Sequence, residues 1–254
     1  MTRIITCTSG KGGAGKTTLV ANLGLALREL GRDVIVVDAN LTTPNLGLHL
    51  GVPLYPTTLH DVLKGTADIK DAIYRHESGL KVIPAGISLR DLRGVDAHDL
   101  PEAVMDLLGS AEIVLIDSAA GLGKEALSAI EASDEIIIVT TPDLPSVTDA
   151  LKTMKLAEQV GTRVTGVVIN RVTKMRHEMT TQQVSNMLDG PEILAEIPED
   201  INVHRAVASR QPVVHHVPHS HASRSIKGLA ATLVGEPSLT KDPWYKRFLS
   251  FMYR

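Results

Sequence analysis

The string Ser9-Gly10-Lys11-Gly12-Gly13-Ala14-Gly15-Lys16-Thr17-Thr18 constrains this chain more than any other stretch of it. It lies between an apolar, β-branched run at residues 3–8 and the helical run LVANLGLALREL. Gly10, Gly15, Lys16 and Thr17 satisfy the spacing GxxxxGK[ST], in the strand-to-helix position that its mechanism requires. The glycines let successive backbone N–H groups turn towards phosphate oxygens, and the N-terminus of the following helix adds positive potential. Lys16 can bridge terminal phosphates, and the Thr17 hydroxyl can ligate Mg2+. A glycine-rich turn that binds nothing has no need of either group at these positions.

Further β-branched runs fall at residues 34–38, 80–84, 112–117, 135–141, 163–170 and 193–197. They lack polar alternation, which suits strands buried on both faces of a parallel sheet. Helical spacing of apolar residues covers 17–30, 101–108, 147–159, 180–188 and 223–233. Strand alternating with helix predicts right-handed crossovers and an α/β fold, a mostly parallel, doubly wound sheet with helices on both faces. Ligands of such sheets sit outside the carboxyl ends of the strands. Asp143 and Asp149 stand near a helix start and suit N-terminal capping.

The chain has 254 residues, 43 % hydrophobic and 22 % charged, values that suit one soluble domain and exclude a disordered, collagenous or coiled-coil chain. No run approaches the roughly 18 apolar residues of a membrane span, and the start MTRIITCTSG carries no basic leader, so a cytoplasmic protein is expected. One cysteine, Cys7, excludes an intramolecular disulfide framework and reads as a small core residue. His215, His216, His219 and His221 lie close together but without a carboxylate in the string, and read as an ordinary loop rather than a metal site.

Lys11, inside the loop, completes the string KGGAGKTT, which resembles the deviant Walker A motif of the MinD/ParA family of ATPases. The resemblance runs from Arg3 to about Val234. It implies a three-layer P-loop NTPase fold, ATP and Mg2+ as cofactors, and an ATP-dependent homodimer in which Lys11 reaches the partner's phosphates. Gly10, Lys11, Gly12, Gly13, Ala14, Gly15, Lys16, Thr17 and Thr18 would then hold nucleotide. Residues 34–40, ending in Asp38-Ala39-Asn40, resemble switch I; residues 112–121 resemble the Walker B strand and switch II. Asp117 would hold Mg2+ through a water, together with Thr17, and Gly121 would let its loop move with the γ-phosphate. Asn170-Arg171 and Pro198-Glu199-Asp200 resemble the base-recognition segments, with Asn170 able to pair an adenine edge.

One departure bears on the rate. The family pattern in switch I is DxD, and Asn40 replaces its second aspartate. An amide orients water but cannot take its proton, so slow hydrolysis is expected from a catalytic set of Lys11, Lys16, Asp38 and Asn40.

The net charge of −3 conceals an asymmetry: residues 1–236 carry −6 and residues 237–254 carry +3. Five of the seven aromatic residues fall within the last 11 positions. We expect an ATPase domain at 1–235, a linker at 236–243 and an amphipathic helix at 244–254. On that helix Trp244, Phe248, Leu249, Phe251 and Met252 gather on one broad side, with Lys246 and Arg247 opposite. Such a segment suits the headgroup region of an anionic membrane, as in MinD-like proteins; docking on the protein body is the other use of a terminal helix. The resemblance thus points to spatial positioning, of a division site or a membrane assembly, from the cytoplasmic face of the cell membrane, with an unidentified protein activator or cargo. A ParA-type DNA-binding partition role is disfavoured by the acidic body, and an iron–sulfur carrier by the single cysteine.

Overall fold

The computed structural model describes residues 2–51 and 54–236, so the linker beyond Glu236 and the amphipathic segment at 244–254 lie outside the described residues. The chain runs β1 (Arg3–Ser9), α1 (Lys16–Glu29), β2 (Val34–Ala39), α2 (Leu46–His49), α3 (Leu59–Leu63), β3 (Tyr74–Arg75), β4 (Lys81–Ile83) and α4 (Leu100–Met105). It continues through β5 (Ile113–Ala120), α5 (Lys124–Glu131), β6 (Glu135–Thr140), α6 (Leu144–Val160), β7 (Arg163–Val172), α7 (Thr181–Leu188), β8 (Ile193–Pro198), α8 (Ile201–Ala208), α9 (Val213–His216) and α10 (His221–Leu233).

The eight strands form one sheet in the order β3-β4-β2-β5-β1-β6-β7-β8. Every neighbouring pair is parallel except β3 with β4. The runs without polar alternation become the central strands because both their faces are covered. On one side α1 and α10 bury Leu19, Leu23, Leu27, Ile226 and Leu229 against Ile5, Val36, Leu115 and Ile137. On the other, α4 and α5 cover Ile4, Ile35, Val114 and Ile116, while α6 and α7 cover Ile136, Ile138, Val167 and Ile169. This is the expected three-layer architecture. Cys7 is fully buried in the first of these clusters, and its burial pushes the thiol pKa up, away from reactivity.

Several boundaries differ from the pattern. The helix expected from residue 147 begins at Leu144, because Asp143 accepts a hydrogen bond from the Ser146 N–H at 3.0 Å and Pro145 fits the first turn. Asp149 lies in the second turn of that helix, paired with Lys152 at 3.0 Å, and is no cap. β7 runs on to Val172, past Asn170-Arg171. Helices α5 and α8 are not among those that the apolar spacing predicts, although α7, of the same 8 residues, is.

Candidate functional site

The phosphate-loop residues leave the carboxyl end of β1, the central strand, and enter α1. Gly15 makes this entry with φ 92°, a left-handed conformation suited to glycine, and a side chain there would put its Cβ 2.3 Å from Asn170 Nδ2. Gly10 is needed for another reason: its Cβ would lie 2.4 Å from the Asp149 carbonyl of α6. Lys16 opens α1 and is buried, with Nζ 3.0 Å from Ser9 Oγ, which itself donates to the Lys11 carbonyl at 2.8 Å. Burial pulls the Lys16 pKa down, against the opposing charge of Asp117. Lys11, Gly12 and Gly13 stand exposed on the outer rim, and Ala14 is buried beneath them.

Strands β2 and β5 end side by side, with Asp38 in register with Asp117. Both are buried, and burial pushes both carboxyl pKa values up; the charge of Asp117 adds to the shift at Asp38. Their hydrogen bonding differs. Asp38 accepts the backbone N–H groups of Asn40 at 3.2 Å, Asn45 at 3.1 Å and Leu46 at 3.0 Å, which folds the loop at 40–45 around it and starts α2. Neither Asp117 oxygen has a hydrogen-bond partner among the described residues. The Thr17 hydroxyl and then the Lys16 ammonium are close enough to oppose its upward shift.

A buried carboxylate with open lone pairs, beside a hydroxyl, suits a hard divalent cation. No group of three His, Cys, Asp or Glu that could hold a metal occurs among the described residues, the histidines at 215–221 included. Thr17 and Asp117 suit Mg2+, which takes one or two protein ligands and completes its shell with water and phosphate. Asn40 is tied up locally: Nδ2 donates to the Thr43 carbonyl at 2.8 Å, and Oδ1 accepts from Thr43 N at 3.3 Å and Thr43 Oγ1 at 3.1 Å.

Beside the loop lies a cavity of about 250 Å3 that brings Gly15 and Thr18 together with Asn170, Arg171, Pro198 and Glu199. Asn170 is pinned, its Nδ2 donating to the Ala14 carbonyl at 2.8 Å and its Oδ1 accepting from Arg171 N at 2.9 Å. Arg171 has a left-handed backbone, φ 61°, and its Nε meets Glu199 Oε2 at 2.8 Å. Asp200 also lines the cavity, but its carboxylate accepts from Asn202 N at 2.9 Å and Ala222 N at 3.2 Å, joining the starts of α8 and α10. Sequence reasoning missed the cavity's apolar wall, Val203, Val207 and Ile226, and His204, which bonds Glu199 Oε1 at 3.0 Å. The four-residue spacing of Val203 and Val207 was the one signal for that wall.

A strand–loop–helix cradle with a buried lysine, two buried carboxylates at neighbouring strand ends and a base-sized cavity define a P-loop nucleotide-binding protein. Residues 5–213 match the CobQ/CobB/MinD/ParA nucleotide binding domain. The chain belongs to this family, and within it to the MinD/ParA-like ATPases. It is 42 % identical over 231 residues to an uncharacterized ATP-binding protein of Methanocaldococcus jannaschii, covering 91 % of this chain and 87 % of the relative. It is 32 % identical over 248 residues to the septum site-determining protein MinD of Thermotoga maritima, covering 93 % and 89 %. Among solved structures, MinD of Pyrococcus horikoshii complexed with Mg-ADP superposes with a TM-score of 0.88 at 37 % identity, over 92 % of this chain and 96 % of that one.

Proposed function

We propose that this chain is a slow ATPase that dimerises with ATP, attaches to the cytoplasmic face of the cell membrane and positions a division site or a membrane assembly. The observation that carries the nucleotide part is the unpartnered Asp117 carboxylate, buried next to Thr17 and Lys16 at the mouth of the phosphate loop. ATP and Mg2+ are the fitting ligands, in line with the Mg-ADP of the Pyrococcus horikoshii relative. Lys16 and the N–H groups of residues 10–18 would hold the phosphates, and Thr17 and Asp117 would hold Mg2+. The metal supplies positive charge against that developing on the phosphates. Asn170, its amide fixed by Ala14 and Arg171, keeps one N–H and one lone pair that would pair an adenine edge, and Arg171, Pro198, Glu199 and Asp200 line the cavity that would take the base.

Lys11 is exposed and makes no ion pair among the described residues, which leaves its ammonium free to meet a partner subunit's phosphates. Hydrolysis of ATP to ADP and phosphate needs an oriented water near Asp38 and Asn40. Asn40 can orient that water but cannot accept its proton, and Asp38 is occupied by three backbone N–H groups. Slow turnover follows from both, and leaves room for a protein activator to raise it.

The membrane part rests on the sequence of residues 244–254. No helix among the described residues is long and apolar enough to cross a membrane; peripheral attachment is inferred from the amphipathic pattern of residues 244–254. Positioning is inferred from the septum-site name of the Thermotoga maritima relative. Co-sedimentation with anionic liposomes tests the reading, using the full chain and a chain ending at Gly235, each with ATP·Mg2+ or ADP·Mg2+. The expected result is binding that needs residues 236–254 and is stronger with ATP. Binding indifferent to both nucleotide and tail would overturn it.

A further inference from the structure

The loop that carries Asn40 is fastened at two places. Inside, its backbone N–H groups at Asn45 and Leu46 close on Asp38. Outside, at its tip, Thr42 bonds Glu125 in the first turn of α5: the Thr42 N–H meets Oε2 at 3.3 Å, and the Thr42 hydroxyl donates to Oε1. Helix α5 is the element that follows Asp117 and Gly121. Gly121 in turn donates its N–H to the Ser9 carbonyl at 2.9 Å, and Ser9 Oγ receives Lys16. Hydrogen bonds therefore join Lys16 to Ser9 and Ser9 to Gly121, the chain at 121–123 leads into α5, and Glu125 bonds Thr42 in the loop around Asp38.

Lys16 rests on the Ser9 hydroxyl and the Gly121 N–H on the Ser9 carbonyl, so one residue at the end of β1 holds both. A shift of residues 121–123 moves the start of α5 directly, because Gly123 caps that helix. Glu125 is two residues further on and half-buried, and its carboxylate accepts both Thr42 donors. A two-point contact of this kind fixes orientation as well as distance.

We propose that Glu125 is a positioning residue: through Thr42 it ties the loop bearing Asp38 and Asn40 to the helix behind Asp117 and Gly121, so that the two loops respond to nucleotide as one. The proposal rests on the nucleotide part of the function proposed above. The tie itself is made of protein atoms alone and can be measured without nucleotide. Glu125 touches neither Asp38 nor the phosphate loop; its effect passes only through Thr42.

Amide hydrogen exchange of the full chain tests this, with Glu125→Gln, Thr42→Val, Thr42→Ser and the Thr42→Val/Glu125→Gln double variant. In nucleotide-free protein, each of Glu125→Gln and Thr42→Val should speed exchange at the Asn45 and Leu46 amides about fivefold, the effect of one partly exposed charge-assisted hydrogen bond. The double variant should match the singles rather than their product, and Thr42→Ser should behave as the parent. On adding ATP·Mg2+, protection at residues 40–46 and 121–127 should change together in the parent. In Glu125→Gln the change at 121–127 should persist while that at 40–46 shrinks. Unchanged exchange at Asn45 and Leu46 in both singles, or a double variant equal to their product, would overturn the tie. Failure of the parent to bind ATP would sink the functional reading instead, and the nucleotide-free comparison would still decide the tie.

Discussion

Two glycines of one motif should behave in opposite ways when given a methyl group. At Gly10 a Cβ would lie 2.4 Å from the carbonyl carbon and oxygen of Asp149 and 2.5 Å from its Cβ. Carbon atoms in ordinary contact sit about 3.5–4 Å apart, so loop and helix must separate by about 1 Å. Neither yields cheaply. Asp149 is flanked by Val147, Ala150 and Met154, which α6 buries against β6 and β7, and Gly10 follows the central strand directly. Overpacking of a well-filled site costs about 1–3 kcal/mol, and a rigid contact on both sides puts Gly10→Ala at about 3 kcal/mol. For a domain of this size that lowers Tm by about 6–12 °C. A Cβ at Gly12 meets nothing within 4 Å, and its backbone lies outside the left-handed region, so Gly12→Ala should stay within about 0.5 kcal/mol of the parent. The assays are thermal and urea unfolding of nucleotide-free protein, with titration of a fluorescent ATP analogue alongside. The displaced loop should also lose phosphate binding in Gly10→Ala. Equal unfolding midpoints for the two variants would refute the packing argument.

Three further outcomes follow from the same geometry. Glu135 is 2 % exposed and holds Arg3 at 2.7 Å and Arg163 at 2.5 Å; because the arginines are 39 % and 70 % exposed and can turn to water, Glu135→Ala should cost about 2 kcal/mol, less than a fully buried pair. Burial pushes the Glu135 pKa up, but the Thr165 and Arg3 hydrogen bonds and both arginine charges outweigh it and hold the folded value low. Its contribution is therefore complete above the ordinary glutamate range and disappears as pH falls through the folded value, so urea midpoints of parent and variant should converge in acid. Asp117 has the opposite sign: its folded pKa is raised, so ionisation weakens the metal-free fold as pH rises, and Asp117→Asn should melt no lower than the parent at pH 8 while losing any Mg2+-dependent rise in Tm. Asn40→Asp should hydrolyse ATP faster than the parent in a steady-state phosphate-release assay, and an equal rate would remove Asn40 as the cause of slow turnover.

The sequence exposed those parts whose physics is local. Residues 10–18 must turn towards phosphate, and residues 34–38 and 112–117 are apolar without alternation because they are buried on both faces; periodicity and motif spacing register both. What stayed hidden depends on contacts between distant segments. Asp143 reads as a cap and is one, but the same reading fails for Asp149, which the fold places inside α6 beside Lys152. Asp200, grouped with the base-binding residues by its neighbours Pro198 and Glu199, is seen only in the fold to bracket α8 and α10 across 22 residues. The partnership of Thr42 with Glu125 spans 83 residues and leaves no trace in the spacing of either.

The two ends of the sheet have different roles, which limits how nucleotide can control the segment after residue 236. At the carboxyl end, Asp38 and Asp117 are held at raised pKa and Lys16 at lowered pKa, all at a cost to the metal-free fold. At the opposite end, Arg3 Nη1 donates to the Leu233 carbonyl at 2.8 Å, and Arg32 pairs with Glu236 at 2.8 Å, fixing the close of α10 to the sheet. Arg3 begins β1 and Ser9 ends it, so the exit of α10 stands about 20 Å from the phosphate loop at about 3.3 Å per residue. The proposed ATP-dependent dimer would need no path between them within one subunit: two chains joined at their nucleotide faces would present two tails, and simultaneous attachment would raise avidity on the order of 10²-fold. A chain held monomeric should therefore bind anionic liposomes equally with ATP or ADP. If the ATP preference survived in the monomer, the signal would have to cross the sheet, and the valency argument would fail.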